Sequence, residues 1–179
     1  MNGSQIVTVI NEGFDAFFPP SSNADSYPVA AGLRWYVNGS LPSGQRVFKV
    51  EVNSRLSAGS WSEIDMGATY LVGTNTYSST EGNFGYTEFG NVKQNNPGGY
   101  TKTDFSIQQA LVKYAQQQGI ISDVPPSTYS TQYLVFQDGT VVDLSSLEQN
   151  STATSSSNFM SAILWSPMVV SAIFLSLVM

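Results

Sequence analysis

The order of apolar and polar residues predicts an amphipathic helix at the start of the chain. After Gly3, the residues Ile6, Val9 and Ile10 recur at helical spacing. Gly13 stands where a glycine commonly closes a helix. The pattern therefore predicts a short helix that begins near Gly3, ends near Gly13 and buries one face.

Three segments further along have the composition or the alternation of β-strands. Residues 33–37 are rich in aromatic and β-branched side chains and are followed by a turn sequence. Phe48, Val50 and Val52 alternate with charged residues, which is the period of a half-buried strand. Residues 69–74 are also rich in β-forming residues. These segments predict neighbouring strands of one sheet.

A second helix is predicted over residues 105–118, with Asp104 as its N-cap and Gly119 as its terminator. Residues 132–144 then resemble a hairpin around Asp138 and Gly139, a dipeptide suited to a type I′ turn. The fold class is α+β, with a mixed or antiparallel sheet and flanking helices. The predicted helix carries four residues on one face: Ile107, Leu111, Tyr114 and Ala115.

Composition narrows the possible chemistry. Charged residues make up 11% of the chain and the formal net charge is -6, so a polyanionic nucleic acid is an unfavourable partner. The chain has no cysteine and no histidine, which excludes thiolate catalysis, cysteine zinc sites and the imidazole of a serine triad. The 13 acidic residues are scattered rather than clustered. The residue types alone give no support for catalysis.

Several short motifs occur in a characteristic order. Residues 3–6 and 11–13 resemble a Gly-x-x-Ile helix start, and residues 27–34 resemble a Phe-Pro-x-x-x-Gly-Leu-Arg segment. Residues 42–47 match a Pro-x-Gly-x-Arg-Val turn, and residues 70–77 resemble Tyr-x-Val-x-Thr-Asn-x-Phe. Together they resemble the C-terminal domain of the 5′-nucleotidase family, of the ecto-5′-nucleotidase and UDP-sugar hydrolase type. The resemblance covers about residues 3–120.

In that family the last motif precedes a Gly-Gly-Asp-Gly-Tyr loop. Here the corresponding residues 81–86 read Glu-Gly-Asn-Phe-Gly-Tyr, so one glycine is lost, Asp becomes Asn and one residue is gained. Asn lacks the charge with which a carboxylate holds ribose hydroxyls, although its amide still donates and accepts hydrogen bonds. The extra residue also leaves the register of this position open.

The resemblance implies a domain that holds a nucleoside base between two aromatic rings. It places Tyr27 and Tyr77 at the two stacking positions and Asn83 at or beside the ribose position, with Gly82 and Gly85 as supporting loop glycines. The alternative for each tyrosine is a packing role, the usual one for aromatic residues in strands. The substrate-binding prediction is Tyr27, Tyr77, Asn83, Gly82 and Gly85.

The family's dimetal centre belongs to a preceding catalytic domain, so the resemblance implies no cofactor in this chain and no phosphatase activity of the chain alone. Two explanations stay open: a fragment of a complete nucleotidase, or a shortened paralogue that binds without cleaving. The function expected is recognition of a nucleoside or nucleotide within nucleotide catabolism. The alternative from another class is a non-enzymatic cell-surface binding or adhesion domain.

The end of the chain reads as a membrane-anchoring signal. Residues 1–144 form the predicted domain, 145–158 a polar Ser/Thr-rich spacer, and 159–179 an apolar tail. This order matches the signal for a glycosylphosphatidylinositol (GPI) anchor, and a transmembrane anchor is the alternative. A cell-surface location follows. The candidate attachment residues are Asn150, Ser151 and Ser155, and the candidate glycosylation site is Asn38, which begins a turn.

Overall fold

The computed structural model describes residues 1–53, 60–80, 86–121 and 124–145. These residues form one mixed sheet with a long helix packed against one face. The elements in chain order are α1 (Gly3–Phe17), β1 (Leu33–Asn38), β2 (Val47–Val52), β3 (Ser62–Glu63), α2 (Thr76–Thr80), α3 (Glu88–Asn95), α4 (Ile107–Gln118), β4 (Thr131–Val135) and β5 (Val141–Asp143).

The sheet has five strands in the order β3-β2-β1-β4-β5. Pairing is antiparallel at β3–β2, β2–β1 and β4–β5, whereas β1 and β4 run parallel at the centre. The parallel pair requires a long crossover, and this crossover contains α2, α3 and α4. The predicted α+β class with a mixed sheet is confirmed.

Helix α1 begins at a reciprocal cap. The side chain of Asn2 accepts a hydrogen bond from the Gln5 amide, and the Gln5 side chain accepts one from the Asn2 amide, both at 2.9 Å. The face containing Ile6, Val9 and Ile10 is buried, as the helical spacing predicted. Because α1 presents this face to the sheet, it provides one side of the core.

The predicted end of this helix is wrong. Gly13 lies inside α1, which continues to Phe17. A Cβ at Gly13 would lie 2.5 Å from the hydroxyl of Tyr86 and 3.0 Å from the carbonyl oxygen of Ser26. The absence of a side chain at Gly13 therefore lets Tyr86 pack closely onto the helix. Gly13 does not cap the helix.

The inner face of the sheet meets α1 through aromatic side chains. Trp35 on β1 is fully buried, and its ring centroid lies 6.3 Å from that of Phe14 on α1 in an edge-on arrangement. The Trp35 indole donates a hydrogen bond of 2.9 Å to the Thr131 hydroxyl on β4. Leu33 and Val37 flank Trp35 on the same face, so β1 is the central strand of the core.

The predicted alternation in β2 holds for Val50 and Val52, which are buried, but it is wrong for Phe48, which is 55% exposed. A register shift opposite the step from Tyr36 to Val37 places Val47 in the core instead. Such an irregularity reverses the face of the residues beyond it. Phe48 consequently joins the outer face of the sheet.

The strand predicted at residues 69–74 is also wrong. Within it, only Thr69 makes an isolated bridge, to Asn2, and the third strand of the sheet is β3 instead. The Tyr70 amide donates to the Met1 carbonyl at 2.8 Å, and the Met1 amine donates to the Tyr70 carbonyl at 3.0 Å. The segment is thus held against the start of the chain and forms no strand of the sheet.

The predicted helix over residues 105–118 exists as α4, but its N-cap is Ser106 and not Asp104. Ser106 and Gln109 form a reciprocal capping box, a better geometry than an acid two residues earlier could offer. Gly119 ends the helix with a φ of 71°, as predicted. Helix α4 contributes no buried residue to the fold.

The predicted hairpin exists as β4 and β5, but its turn is not type I′. That turn needs two residues with positive φ, and here only Gly139 has one, at 87°. The Gly139 amide donates to the Phe136 carbonyl at 3.0 Å. Asp138 instead caps the turn, because its carboxylate accepts from the Thr140 amide at 2.9 Å.

The predicted spacer and tail fall mainly on residues 146–179, which lie outside the described part of the chain. Among the helices that the structure describes, none has the length and apolar character to cross a bilayer. The domain boundaries proposed from the sequence therefore stay predictions.

The close packing at Gly13 predicts opposite results for two helical glycines. Gly13→Ala should lower the free energy of unfolding by about 1–3 kcal/mol, because the new methyl group overlaps the Tyr86 hydroxyl. Gly90→Ala in α3, where no atom lies within 4 Å of the new Cβ, should raise it by up to about 1 kcal/mol. Urea unfolding of both variants measures the two effects, and equal stabilisation of both would contradict the packing.

Candidate functional site

Tyr77 lies on the short helical turn α2, which has a buried side and an exposed side. The side chain of Asn75 accepts a hydrogen bond of 2.7 Å from the Ser78 amide and so starts α2. Ser78 is fully buried, whereas Tyr77, its neighbour on the same turn, is 50% exposed. The anchored turn therefore presents an aromatic ring at the surface, which is what a stacking contact requires.

Tyr86 provides a second anchor on the other side of residues 81–85. It is fully buried, and its hydroxyl donates a hydrogen bond of 2.7 Å to the Ser26 carbonyl. Its ring packs against Phe89 of α3 with centroids 6.1 Å apart. Burial and the charge of Glu12 raise the pKa of the Tyr86 hydroxyl, so this group stays neutral. Its ring is consequently a packing element.

Glu12 of α1 caps α3 across the fold. Its carboxylate accepts hydrogen bonds of 3.1 Å from the amides of Thr87 and Glu88, and another from the Thr87 hydroxyl. A negative charge here favours the helix N-terminus, where amides lack intrahelical partners. Burial is the largest influence on the pKa of Glu12 and raises it, despite these hydrogen bonds.

Buried residues thus precede and follow positions 81–85 in the sequence, with Ser78 on α2 before them and Tyr86 after them. The predicted ribose and loop positions Asn83, Gly82 and Gly85 lie within this segment, outside the residues that the structure describes. Of the predicted set, the structure places only Tyr77 and Tyr27.

Tyr27 packs on the core beside α1. Its ring makes edge-on contacts with Phe14 and Phe17, at centroid distances of 5.3 Å and 5.0 Å. Its hydroxyl shares a hydrogen bond of 2.7 Å with the Thr131 hydroxyl, and burial raises its pKa to about 12. No ring contact joins Tyr27 and Tyr77 among the described residues, so the paired clamp stays a prediction.

A cleft of about 430 Å³ lies next to the start of α3 and is lined partly by Glu12, Asp15, Arg46 and Thr87. The Arg46 guanidinium lies 3.2 Å from the Asp15 carboxylate and donates to the carbonyl oxygens of Leu41 and Phe14. With its cation paired and two carboxylates in the wall, the cleft repels a phosphate group. It is therefore no substitute for a phosphate site.

Among the described residues, no group of three or more carboxylates is arranged to hold a metal ion. The glycosylation candidate Asn38 ends β1, and its side-chain oxygen accepts hydrogen bonds from the amide and hydroxyl of Ser40. Its use as a glycan site, and that of Asn150, Ser151 and Ser155 as attachment residues, stay predictions.

Sequence reasoning did not assign a role to Glu12. Each residue of the Asn11-Glu12-Gly13 triplet contacts a different part of the fold. Asn11 accepts a 3.0 Å hydrogen bond from the Val47 amide. Glu12 caps the start of α3, and Gly13 leaves room for the Tyr86 hydroxyl. A buried-face pattern cannot reveal such contacts, since they depend on elements about 35 to 75 residues away.

Comparison with known proteins gives a likeness in fold. The structure of NAD nucleotidase (NadN) from Haemophilus influenzae superposes with a TM-score of 0.59 at 24% sequence identity, over 73% of this chain and 22% of that chain. The chain therefore spans about a fifth of that protein. No family model matches the chain, and no curated protein matches it. The domain has a nucleotidase-like fold.

The raised pKa of Glu12 predicts a pH dependence with a definite sign. The contribution of Glu12 to the free energy of unfolding is fully present below the unfolded pKa of 4.5. It is lost as the pH rises through the higher pKa of Glu12 in the folded protein. Wild type should therefore lose unfolding free energy relative to Glu12→Gln as the pH rises from 4.5 through the higher folded pKa. Urea unfolding of both proteins across this range measures the difference.

Thr87→Val is the matched control. The Thr87 hydroxyl lowers the Glu12 pKa through its hydrogen bond, and the substitution removes this hydroxyl while keeping the backbone amide. In Thr87→Val, the loss of unfolding free energy should occur at higher pH than in wild type, because the Glu12 pKa is higher. A constant difference between wild type and Glu12→Gln at every pH would contradict the assignment.

Proposed function

We propose that this domain recognises the base of a nucleoside or nucleotide, with Tyr77 as a stacking ring. The observation that carries the proposal is the half-exposed Tyr77 on a turn fixed by Asn75 and Ser78, immediately before a glycine-containing segment. The nucleotidase-like fold supports it, since the neighbour in fold is an NAD nucleotidase. The substrate class is a nucleoside with or without phosphate.

Stacking needs only a flat exposed ring and is worth about 1–3 kcal/mol per base. Tyr77 meets this requirement on one side of the base. For the opposite wall, Tyr27 would need an open ring face, whereas its edge-on contacts with Phe14 and Phe17 hold it against α1. The proposal accordingly rests on Tyr77, with Asn83 as the ribose ligand and with Gly82 and Gly85 shaping the segment around it.

The chemistry of phosphate release belongs to a different set of residues. A dimetal centre positions two cations and generates the attacking hydroxide, and the chain contains no histidine to ligate them. The proposed role is therefore that of a recognition domain that acts in nucleotide catabolism together with a metal-bearing catalytic domain.

One observation favours the alternative of a non-enzymatic surface-binding domain. On the outer face of the sheet, the exposed Phe48 ring lies 6.1 Å from the rings of Tyr36 and Tyr133. Beside them, Glu51 bonds to Arg34 at 2.6 Å and to Lys49 at 2.9 Å. Aromatic residues and arginine are enriched at protein interfaces, so this face is the site for that alternative.

The nucleoside proposal is tested by three substitutions of exposed tyrosines. Tyr77→Ala should weaken binding of adenosine monophosphate by roughly 5- to 150-fold, because it removes about 1–3 kcal/mol of stacking. Tyr77→Phe, which keeps the ring, should bind like wild type. Tyr114→Ala is the matched control, since Tyr114 is 47% exposed on a different helix.

Calorimetric titration measures the affinity, and thermal unfolding of the same samples separates binding from stability. Equal losses in Tyr77→Ala and Tyr114→Ala, or a fall in melting temperature that accounts for the loss at Tyr77, would remove the assignment.

For the cellular location we propose a GPI-anchored surface protein, on the small-residue, spacer and apolar-tail order of residues 145–179. Expressed with a signal peptide in a eukaryotic host, the chain should be released from cells by a phosphatidylinositol-specific phospholipase. A tag placed after Met179 should be absent from the mature protein. Resistance to the enzyme together with retention of the tag would indicate a spanning anchor.

A further inference from the structure

The outer face of the sheet presents an aromatic ring because β2 contains an extra residue. Tyr36 pairs with Lys49 and Val37 pairs with Val47, so Phe48 has no partner residue on β1. Such a β-bulge redirects a side chain, and bulges are over-represented beside active sites. Phe48 is 55% exposed as a result. A solvent-facing ring on a bulge is a candidate binding residue.

Phe48 has two tyrosine rings as neighbours. Its ring centroid lies 6.1 Å from that of Tyr36 on β1 and 6.1 Å from that of Tyr133 on β4. We name these three side chains the aromatic triad. The ring planes are inclined by 51° and 77°, so each pair of rings forms a shallow crevice and not a flat stack. A ligand of the aromatic triad must therefore follow an uneven apolar surface.

The charged groups beside the aromatic triad are bonded to one another. The Glu51 carboxylate lies 2.6 Å from Arg34 and 2.9 Å from Lys49. Because these charges are paired, the surface favours an uncharged ligand over a strongly acidic or basic one. The Lys49 ammonium lies 4.7 Å from the centroid of the Tyr36 ring, and its side chain is 38% exposed. An ammonium has three donors, so Lys49 keeps donors for a ligand carbonyl.

A proline-rich segment has the shape and the chemistry that this surface fits. Such segments form a polyproline II helix, which rises about 3.1 Å per residue and has no internal hydrogen bonds, so its carbonyls are free to accept. Two residues advance by about 6.2 Å. This advance is close to the 6.1 Å between neighbouring rings of the aromatic triad. Proline side chains are uncharged and apolar, and aromatic-lined grooves are a recurring docking surface for them.

We propose that the aromatic triad binds a proline-rich segment of a partner protein, with Phe48 as the central contact. Prolines in a Pro-x-Pro spacing pack against neighbouring rings, and Lys49 donates a hydrogen bond to a carbonyl of the segment. A preformed polyproline II helix loses little conformational entropy on binding, which allows a small surface to recognise it. The surface lies on the sheet, whereas Tyr77 lies on α2, so this site is independent of the nucleoside proposal.

Calorimetric titration of the full chain with an acetylated and amidated octaproline peptide tests the site, in a detergent without a sugar headgroup. Wild type should bind the peptide. Phe48→Leu keeps an apolar side chain but loses the ring, so it should bind at least about tenfold more weakly. Phe105→Leu is the matched control and should bind like wild type, because Phe105 is also 55% exposed but lies outside the sheet.

Two further ligands test the chemistry of the partner. A glycine-serine peptide of the same length lacks the preformed helix, so it should bind wild type at least about tenfold more weakly than octaproline. No binding of octaproline, equal affinities for the two peptides, or equal losses in Phe48→Leu and Phe105→Leu would overturn the proposal. Binding of cellohexaose in place of octaproline, abolished by Phe48→Leu, would overturn it in favour of a carbohydrate ligand.

Discussion

The packing of α1 against the inner face of the sheet is the interaction on which the other parts of the structure depend. Phe14 meets Trp35 edge-on in the centre of the core, and the apolar side chains of both elements close around them. Burial of large apolar groups is the dominant favourable contribution to folding. The same helix also supplies polar contacts outside the core, including the bond from the Val47 amide to Asn11 that fixes the start of β2.

The candidate site is attached to this helix from both directions. Glu12 holds the first turn of α3, and the missing side chain of Gly13 makes room for Tyr86, whose hydroxyl reaches the Ser26 carbonyl. On the other side, the segment that leads to Tyr77 begins at Tyr70, which pairs with Met1 just before the helix. The chain before and after the aromatic ring is therefore held by α1 and by the residue that begins the chain, although the ring itself lies at the surface.

Local patterns predicted the elements whose burial is locally periodic, and they did not predict contacts between distant elements. Helix α1 and the hairpin of β4 and β5 follow from spacing and turn residues. The outward position of Phe48 depends on a register shift against Tyr36, and the unpaired course of residues 69–74 depends on bonds with Met1. Composition cannot show either effect. For the site, the motif at residues 70–77 located an exposed ring at Tyr77, whereas the roles of Glu12 and Gly13 depend on elements far along the chain.

The parallel pairing of β1 with β4 has a consequence for how the chain folds. The bond between Trp35 and Thr131 joins residues 96 positions apart, and the intervening chain includes Tyr77 and the predicted loop positions. Contacts of such high sequence separation are associated with slow folding, since the entropy of closing the loop is lost before the contact forms. The last part of the described chain to be made thus completes the middle of the sheet. During synthesis, α1 and the first strands are made before β4. Until β4 pairs with β1, one edge of β1 is unpaired and can mispair with another chain.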